Sequence, residues 1–171
     1  MDVRHAVPAD LPRLRALYGA ARQAGAYREW GSGRADDAGI AEMDDLDGAL
    51  AHWRHEVWVV EDDQRQTRGY VRAAFLGRML PDEGERDLWR LVLGVIDPRL
   101  DALTWVRLYL GAVRAVVARH PQALWEGSVV ADGPSDRLWQ RYFAGERVVV
   151  GELAVYRSPA ETVLARLGLT F

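Results

Sequence analysis

The order of the apolar patterns is the feature that most restricts how this 171-residue chain can fold. Apolar runs typical of strands occupy 3–7, 57–60, 69–76, 88–96, 123–130 and 148–156. Apolar residues at every third or fourth position, typical of helices, occupy 11–24, 40–53, 103–117, 132–143 and 160–167. The predicted order is therefore β-α-α-β-β-β-α-β-α-β with a short terminal helix. This order predicts one α/β domain of the α+β type over 1–171, with helices on both faces of a mixed sheet.

Composition excludes several classes of chemistry. The chain has no cysteine, which excludes disulfides, thiolate catalysis and cysteine-based zinc sites. All 22 basic residues are arginines, so Schiff-base chemistry on lysine and a lysine-bearing phosphate loop are excluded too. These arginines are spread along a chain of net charge −3, which predicts no nucleic-acid surface. There is neither a run near the roughly 20 apolar residues that span a bilayer nor a secretory signal, so we expect a cytoplasmic protein without a membrane partner.

Local patterns along this order resemble those of one enzyme family. They are an Ala-Asp-Leu-Pro helix start at 9–12, a Gly-Tyr-Val strand start at 69–71 and a Val-Ile-Asp-Pro-Arg strand end at 95–99. With the element order, they make nearly the whole chain resemble the GNAT acetyltransferases. The resemblance implies a mixed, mostly antiparallel central sheet and acetyl-CoA as the cofactor.

In that family, acyl-CoA lies where the fourth and fifth strands separate, and its pyrophosphate rests on the start of the third helix. A helix N-terminus attracts anions because it offers unpaired N–H donors and a favourable dipole. The resemblance thus implies a cofactor site at the strand end and in a loop that the family writes as Gln/Arg-x-x-Gly-x-Gly/Ala. The implied site residues here are Val95, Ile96, Arg99, Leu100, Asp101, Ala102, Leu103 and Thr104.

This loop departs from the family pattern in two ways. It contains no glycine, because Ala102 and Thr104 stand at the positions of small residues. Asp101 adds a negative charge that opposes a bound pyrophosphate. Alternatively, Asp101 is the N-cap of the helix, where it would occupy the donors that a phosphate needs.

Proton transfer in the family often uses a tyrosine of the fourth helix, but the aligned residue here is Trp139, whose indole is not an acid near neutral pH. Tyr142 is the candidate acid, with a core or surface position as the alternative. Glu126 is the candidate base and would need a raised pKa; the favoured alternative is a solvated glutamate at a strand end. Asp132 lies nearest to the position where the family often has an asparagine.

Other residues are candidates for binding. His52 and His55 are three positions apart on a predicted helix, but no third ligand has a motif spacing, so no metal site is predicted. Most of the seven tryptophans fall on predicted elements and are expected in the core. Trp30, in the glycine-rich stretch 25–39, is a candidate substrate lid or interface anchor. If the apolar strand at 148–156 lies at a sheet edge, it invites pairing with a second chain.

Two functions follow from these patterns. The first is an N-acyltransferase that moves an acetyl group from acetyl-CoA to an amine of a small molecule or a protein. The second is a catalytically silent GNAT-shaped module that binds a protein partner or a second copy, as in an assembly or a virus particle. A fold does not fix a function, so the site has to decide between them.

Overall fold

The computed structural model describes residues 1–25, 45–80, 84–143 and 145–168. Its strands are β1 (Asp2–His5), β2 (His55–Glu61), β3 (Thr67–Met79), β4 (Arg86–Ile96), β5 (Leu124–Val130), β6 (Glu146–Val150) and β7 (Leu153–Pro159). Its helices are α1 (Leu11–Gln23), α2 (Leu46–Ala51), α3 (Ala102–Val117), α4 (Pro134–Phe143) and α5 (Ala160–Gly168), with a 3-10 turn at Pro8–Asp10. Trp30 and most of the glycine-rich stretch lie outside the described residues.

The strands form a seven-stranded sheet in the order β1-β2-β3-β4-β5-β7-β6. Neighbouring strands run antiparallel, apart from the parallel pair β4–β5. The predicted mixed, mostly antiparallel sheet is confirmed. Strands β2 and β3 form a hairpin in which Trp58 lies opposite Val71.

Helices cover both faces of this sheet, as predicted. On one face, α1 and α2 bury Leu14, Leu17 and Leu46 against Val59 and Tyr70. On the other face, α3, α4 and α5 cover a larger core that is built around the tryptophans of β2, β4 and β5. The stretches 57–61 of β2 and 69–74 of β3 are buried from both sides, and most of their residues are apolar.

The last part of the chain differs from the prediction. The run 148–156 was predicted as one strand, which is wrong: it forms parts of β6 and β7, joined by a two-residue turn. Gly151 begins this turn with a φ of +61°, which glycine adopts without steric cost. The first of these strands, β6, is the outermost strand of the sheet, and about half of the surface of Val148, Val149 and Val150 is exposed.

The second predicted helix also ends earlier than its periodicity suggests. Helix α2 stops at Ala51, so His52 follows the helix and His55 begins β2. Trp53 was expected in the core with the other tryptophans, but it is 72% exposed. Trp58, Trp89, Trp125 and Trp139 are buried as predicted. Among the described residues, no helix is long and apolar enough to cross a membrane.

Candidate functional site

Strands β4 and β5 separate near their middle. They pair in parallel from Leu88 opposite Leu124 to Leu91 opposite Gly127, and this register continues no further. Beyond Leu91, β4 stays paired only with β3, and β5 stays paired with β7. The sheet therefore opens at the place where the resemblance implies an acyl-CoA cleft.

Two aromatic side chains of this chain occupy the opening. Tyr109 of α3 packs against Gly94 of β4, where a Cβ atom would lie 2.5 Å from the tyrosine ring. Trp139 of α4 covers Gly127 of β5 so closely that a Cβ atom there would overlap its indole ring. Both glycines allow this approach because they have no side chain.

Little space remains between these rings. The cavity that Tyr109 and Trp139 line holds about 30 Å³, enough for about one water molecule. Trp105 stacks on Tyr109 with ring centroids 5.2 Å apart and extends the aromatic filling along α3. Burial raises the pKa of Tyr109 to about 12, so its hydroxyl stays protonated at neutral pH. Ligand pockets usually have some 300–1,000 Å³, far more than this opening offers.

The N-terminus of α3 is occupied by a side chain of the chain itself. Asp101 accepts a hydrogen bond from the backbone N–H of Thr104 at 3.0 Å and another from its hydroxyl at 2.7 Å. These bonds lower the pKa of Asp101, so the carboxylate is charged at neutral pH. The cap alternative predicted from the sequence is confirmed. A phosphate at this position would meet a negative charge and a helix start that is already capped.

The remaining loop residues do not converge on an anion. Arg99 donates to Asp97 from Nε at 2.8 Å and from Nη2 at 2.7 Å, so its guanidinium group is paired with a buried carboxylate. Leu103 points into solvent with 74% of its surface exposed. Val95 and Ile96 are fully buried within β4 and belong to opposite faces of the core.

Glu126, the candidate base, lies in a cross-strand triplet. Its neighbours in the sheet are Arg90 on β4 and Arg157 on β7. Arg90 Nε donates to it at 2.8 Å and Arg157 Nη2 at 2.7 Å. Burial opposes ionisation of Glu126, but the two guanidiniums outweigh it and lower the pKa. The solvated position favoured from sequence is wrong, because Glu126 is only 5% exposed.

Tyr142, the candidate acid, is part of the packed core. It is 7% exposed and lies in the same cluster as Trp139 and Phe143. Side chains alternate along a strand, and Gly127 faces α4, so Glu126 points to the opposite face of the sheet. The structure therefore places the candidate acid and base on opposite faces. Asp132 is a solvent-exposed turn residue with a φ of +62°.

The sequence singles out Trp139 as a departure from the family but does not indicate that it fills the opening. Tyr109 has no distinguishing signal, because it fits the helical periodicity of α3. The available signal was Gly94 and Gly127, since a glycine inside a strand often marks close approach of another group.

The histidine pair lies at the junction of α2 and β2. The rings of His52 and His55 have their centroids 5.5 Å apart; His52 follows α2, and His55 begins β2. Within the described parts of the chain, no group of three or more potential ligands could hold a metal ion.

Comparison with known proteins identifies the fold. The chain matches no protein-family model and no curated sequence. It is similar in structure to an acetyltransferase from Thermus thermophilus (TM-score 0.61, 17% identity, 92% of this chain and 96% of that chain). A putative GNAT acetyltransferase from Desulfovibrio desulfuricans matches with a TM-score of 0.58 at 15% identity, over 93% of this chain and 98% of that chain. A ribosomal-protein-alanine N-acetyltransferase from Brucella melitensis matches with a TM-score of 0.54 at 19% identity, over 93% and 99%.

These likenesses define the class of protein: the chain has the GNAT fold, carried by a divergent sequence. The fold of this class implies acetyl-CoA, but the residues of this chain do not fit it in the implied way. Tyr109 and Trp139 fill the opening, and Asp101 caps the helix on which the pyrophosphate would rest.

Proposed function

We propose that this chain is a GNAT-fold protein that works by binding a partner and does not transfer an acetyl group from acetyl-CoA. The observation that carries the proposal is the filling of the opening between β4 and β5 by Tyr109 and Trp139. Moving either ring would leave Gly94 or Gly127 beside an empty volume, and opening such a cavity in a packed core costs several kcal/mol (about 3–5 for removal of a large aromatic side chain).

Three further features support the proposal. The capped N-terminus of α3 has a negative charge at Asp101 where an anionic cofactor would need donors. The candidate base Glu126 has a lowered pKa, whereas a general base that takes a proton from an ammonium near neutral pH benefits from a raised one. Tyr142 is held in the core, away from solvent.

Titration of acetyl-CoA into the protein by calorimetry tests the proposal. We expect no binding heat up to about 1 mM, roughly the upper end of common KM values. An active GNAT acetyltransferase in the same buffer is the positive control. Saturable binding of acetyl-CoA to the wild-type chain would contradict the proposal.

The acyltransferase is the second candidate, and the separation of β4 and β5 beyond Leu91 favours it. For acetyl-CoA to enter there, Trp139 must move, so its fluorescence would change during the titration. In that case Asp101→Gly should tighten acetyl-CoA binding, because it removes a like charge. Glu126→Gln and Tyr142→Phe should then slow acetyl transfer to an amine.

A further inference from the structure

A second and much larger cavity lies along α3. It has a volume of about 860 Å³ and is open to solvent. Leu108, Gly111 and Ala115 of α3 line it together with Leu164 of α5 and the side chain of Met1. We call it the α3 groove. It lies apart from the opening between β4 and β5, because the cavity there is lined by Tyr109 and Trp139.

The α3 groove is elongated. Its lining follows α3 in steps of three or four residues from Thr104 to Ala118, a rise of about 21 Å. Such a length corresponds to about four helical turns. Of its two small residues, Ala115 leaves room for the side chains of a second helix, whereas Gly111 is covered by the side chain of Met1, whose Cε would overlap a Cβ atom at that position.

The charges along the groove are unbalanced. Arg107 and Arg114 line it, both are exposed, and neither side chain makes a hydrogen bond, ion pair or ring contact with a described residue. The acidic residues of the groove, in contrast, are already paired. Asp62 accepts from Arg68 Nε at 2.6 Å, and Asp63 is bonded to the amino group of Met1.

The two free arginines also have a defined spacing. They are seven residues apart on α3, which places them two turns or about 10 Å apart on the same side of the helix. Two acidic side chains seven residues apart on an adjacent helix match this spacing, as charged pairs do beside the seam of a coiled coil. A compact anion or a lipid with one charged head would engage only one of the two arginines.

We infer that the α3 groove binds an acidic amphipathic helix of a partner protein. The apolar face of that helix lies on Met1, Leu108 and Ala115, and its acidic residues pair with Arg107 and Arg114. This inference rests on the proposed function, since it specifies the partner of a binding module. The groove begins beside the implied cofactor loop at Leu100 and Thr104, but the charge preference depends on Arg107 and Arg114 further along α3, so the peptide and acetyl-CoA measurements report on different residues.

The experiment uses the full chain and two synthetic helical peptides of about 18 residues, the number that spans the groove with one turn to spare. Both peptides have a leucine and alanine face. The acidic peptide has two glutamates seven residues apart at the edge of that face, and the basic peptide has lysines in their place. Fluorescence anisotropy of the labelled peptides measures binding.

We expect the wild-type chain to bind the acidic peptide at least about tenfold more tightly than the basic one, with a preference that falls as salt rises. The double variant R107E/R114E should reverse this preference. Arg137→Glu, on the exposed surface of α4, is the matched control and should leave it unchanged. Ala115→Trp should abolish binding of either peptide, because the indole fills the groove.

Circular dichroism of each variant confirms that it is folded before binding is measured. Equal binding of both peptides, no binding of the acidic peptide, or an unchanged preference in R107E/R114E would overturn the inference. Displacement of the acidic peptide by palmitate at equimolar concentration would assign the groove to a lipid and overturn it too. A wild-type dimer that Ala115→Trp dissociates would assign the groove to a second copy, again against the inference. Binding of acetyl-CoA would contradict the proposed function, whereas the peptide preference tests the groove by itself.

Discussion

The indole of Trp139 lies on the backbone of Gly127, and the two residues together close the sheet between β4 and β5. Gly127 cannot take a side chain unless the indole moves, because any Cβ atom at 127 would overlap the ring. The contact couples α4 to the parallel strand pair at the point where a GNAT cofactor would enter. Its strength therefore bears on both stability and function.

Gly127→Ala should destabilise the protein by about 2–3 kcal/mol, since overpacking a tight core forces a side chain or the backbone out of place. Urea denaturation followed by tryptophan fluorescence measures the change. In a Trp139→Leu background the same substitution should cost much less, and the difference is the coupling between the two positions.

Gly19→Ala is the control for this substitution. Gly19 lies within α1 with no atom within 4 Å of a Cβ built there, so alanine should stabilise the helix by up to about 1 kcal/mol. Opposite signs for the two variants are expected. A neutral Gly127→Ala would mean that Trp139 moves freely, and this would reopen the path for acetyl-CoA.

Asp101→Ala should lower the urea midpoint, because it removes the side chain that caps α3, while Asp101→Asn should keep most of the cap. The bonds from Thr104 lower the pKa of Asp101 in the folded state. Its stabilising contribution is thus present above the pKa of the unfolded carboxyl and is lost as pH falls through the lower folded pKa. The Asn variant should lack this acid-dependent part, which urea midpoints at several pH values measure. An equal midpoint for the Ala and Asn variants would contradict the capping role.

Much of the fold could be predicted from the sequence because apolar periodicity is a local property. The one strand predicted over 148–156 is wrong for a local reason as well. Gly151 and Glu152 form a two-residue turn, but the apolar residues on both sides of it give the pattern of a single strand. The N-cap at Asp101 was predictable because capping involves only the next three residues.

The site was harder to predict because its contacts join distant parts of the chain. The filling of the opening needs the positions of Tyr109 and Trp139 relative to β4 and β5, which no local pattern contains. The pairing of Glu126 depends on the register of three strands. Its partners Arg90 and Arg157 lie 36 and 31 residues away from it along the chain. For the same reason, the lining of the α3 groove became visible only in the structure.

Glu126→Gln should destabilise the protein by about 1–2 kcal/mol at pH 7. The amide leaves Arg90 and Arg157 without their shared carboxylate, although both arginines keep partial contact with water, which limits the loss. The lowered pKa of Glu126 means that its contribution is present above the ordinary value of 4.5 and disappears as pH falls through the folded pKa. The wild type and this variant should therefore converge in stability in acid.

Glu152→Gln provides the matched control for Glu126→Gln, since Glu152 is an exposed turn residue. Urea denaturation at pH 7 and near pH 3 should show no change for this control. A constant difference between Glu126→Gln and the wild type at both pH values would show that the carboxylate charge does not contribute.

Asp136→Asn should have the largest effect of the charge substitutions, about 3 kcal/mol, because Asp136 is completely buried and shared by three donors. It accepts from Arg147 Nη2 at 2.7 Å, from the backbone N–H of Asp132 at 2.8 Å and from the hydroxyl of Tyr156. The Arg147 guanidinium holds the pKa of Asp136 far below its ordinary value, so its contribution should persist into acid that has already protonated Glu126. Since Arg147 lies on β6, the substitution should also speed amide exchange along that edge strand.

Asp132→Asn is the matched control. The side chain of Asp132 is 95% exposed, so this substitution should change stability by less than about 0.5 kcal/mol. Equal effects of the two substitutions on urea midpoint and on β6 exchange would show that the buried carboxylate does not anchor the edge of the sheet.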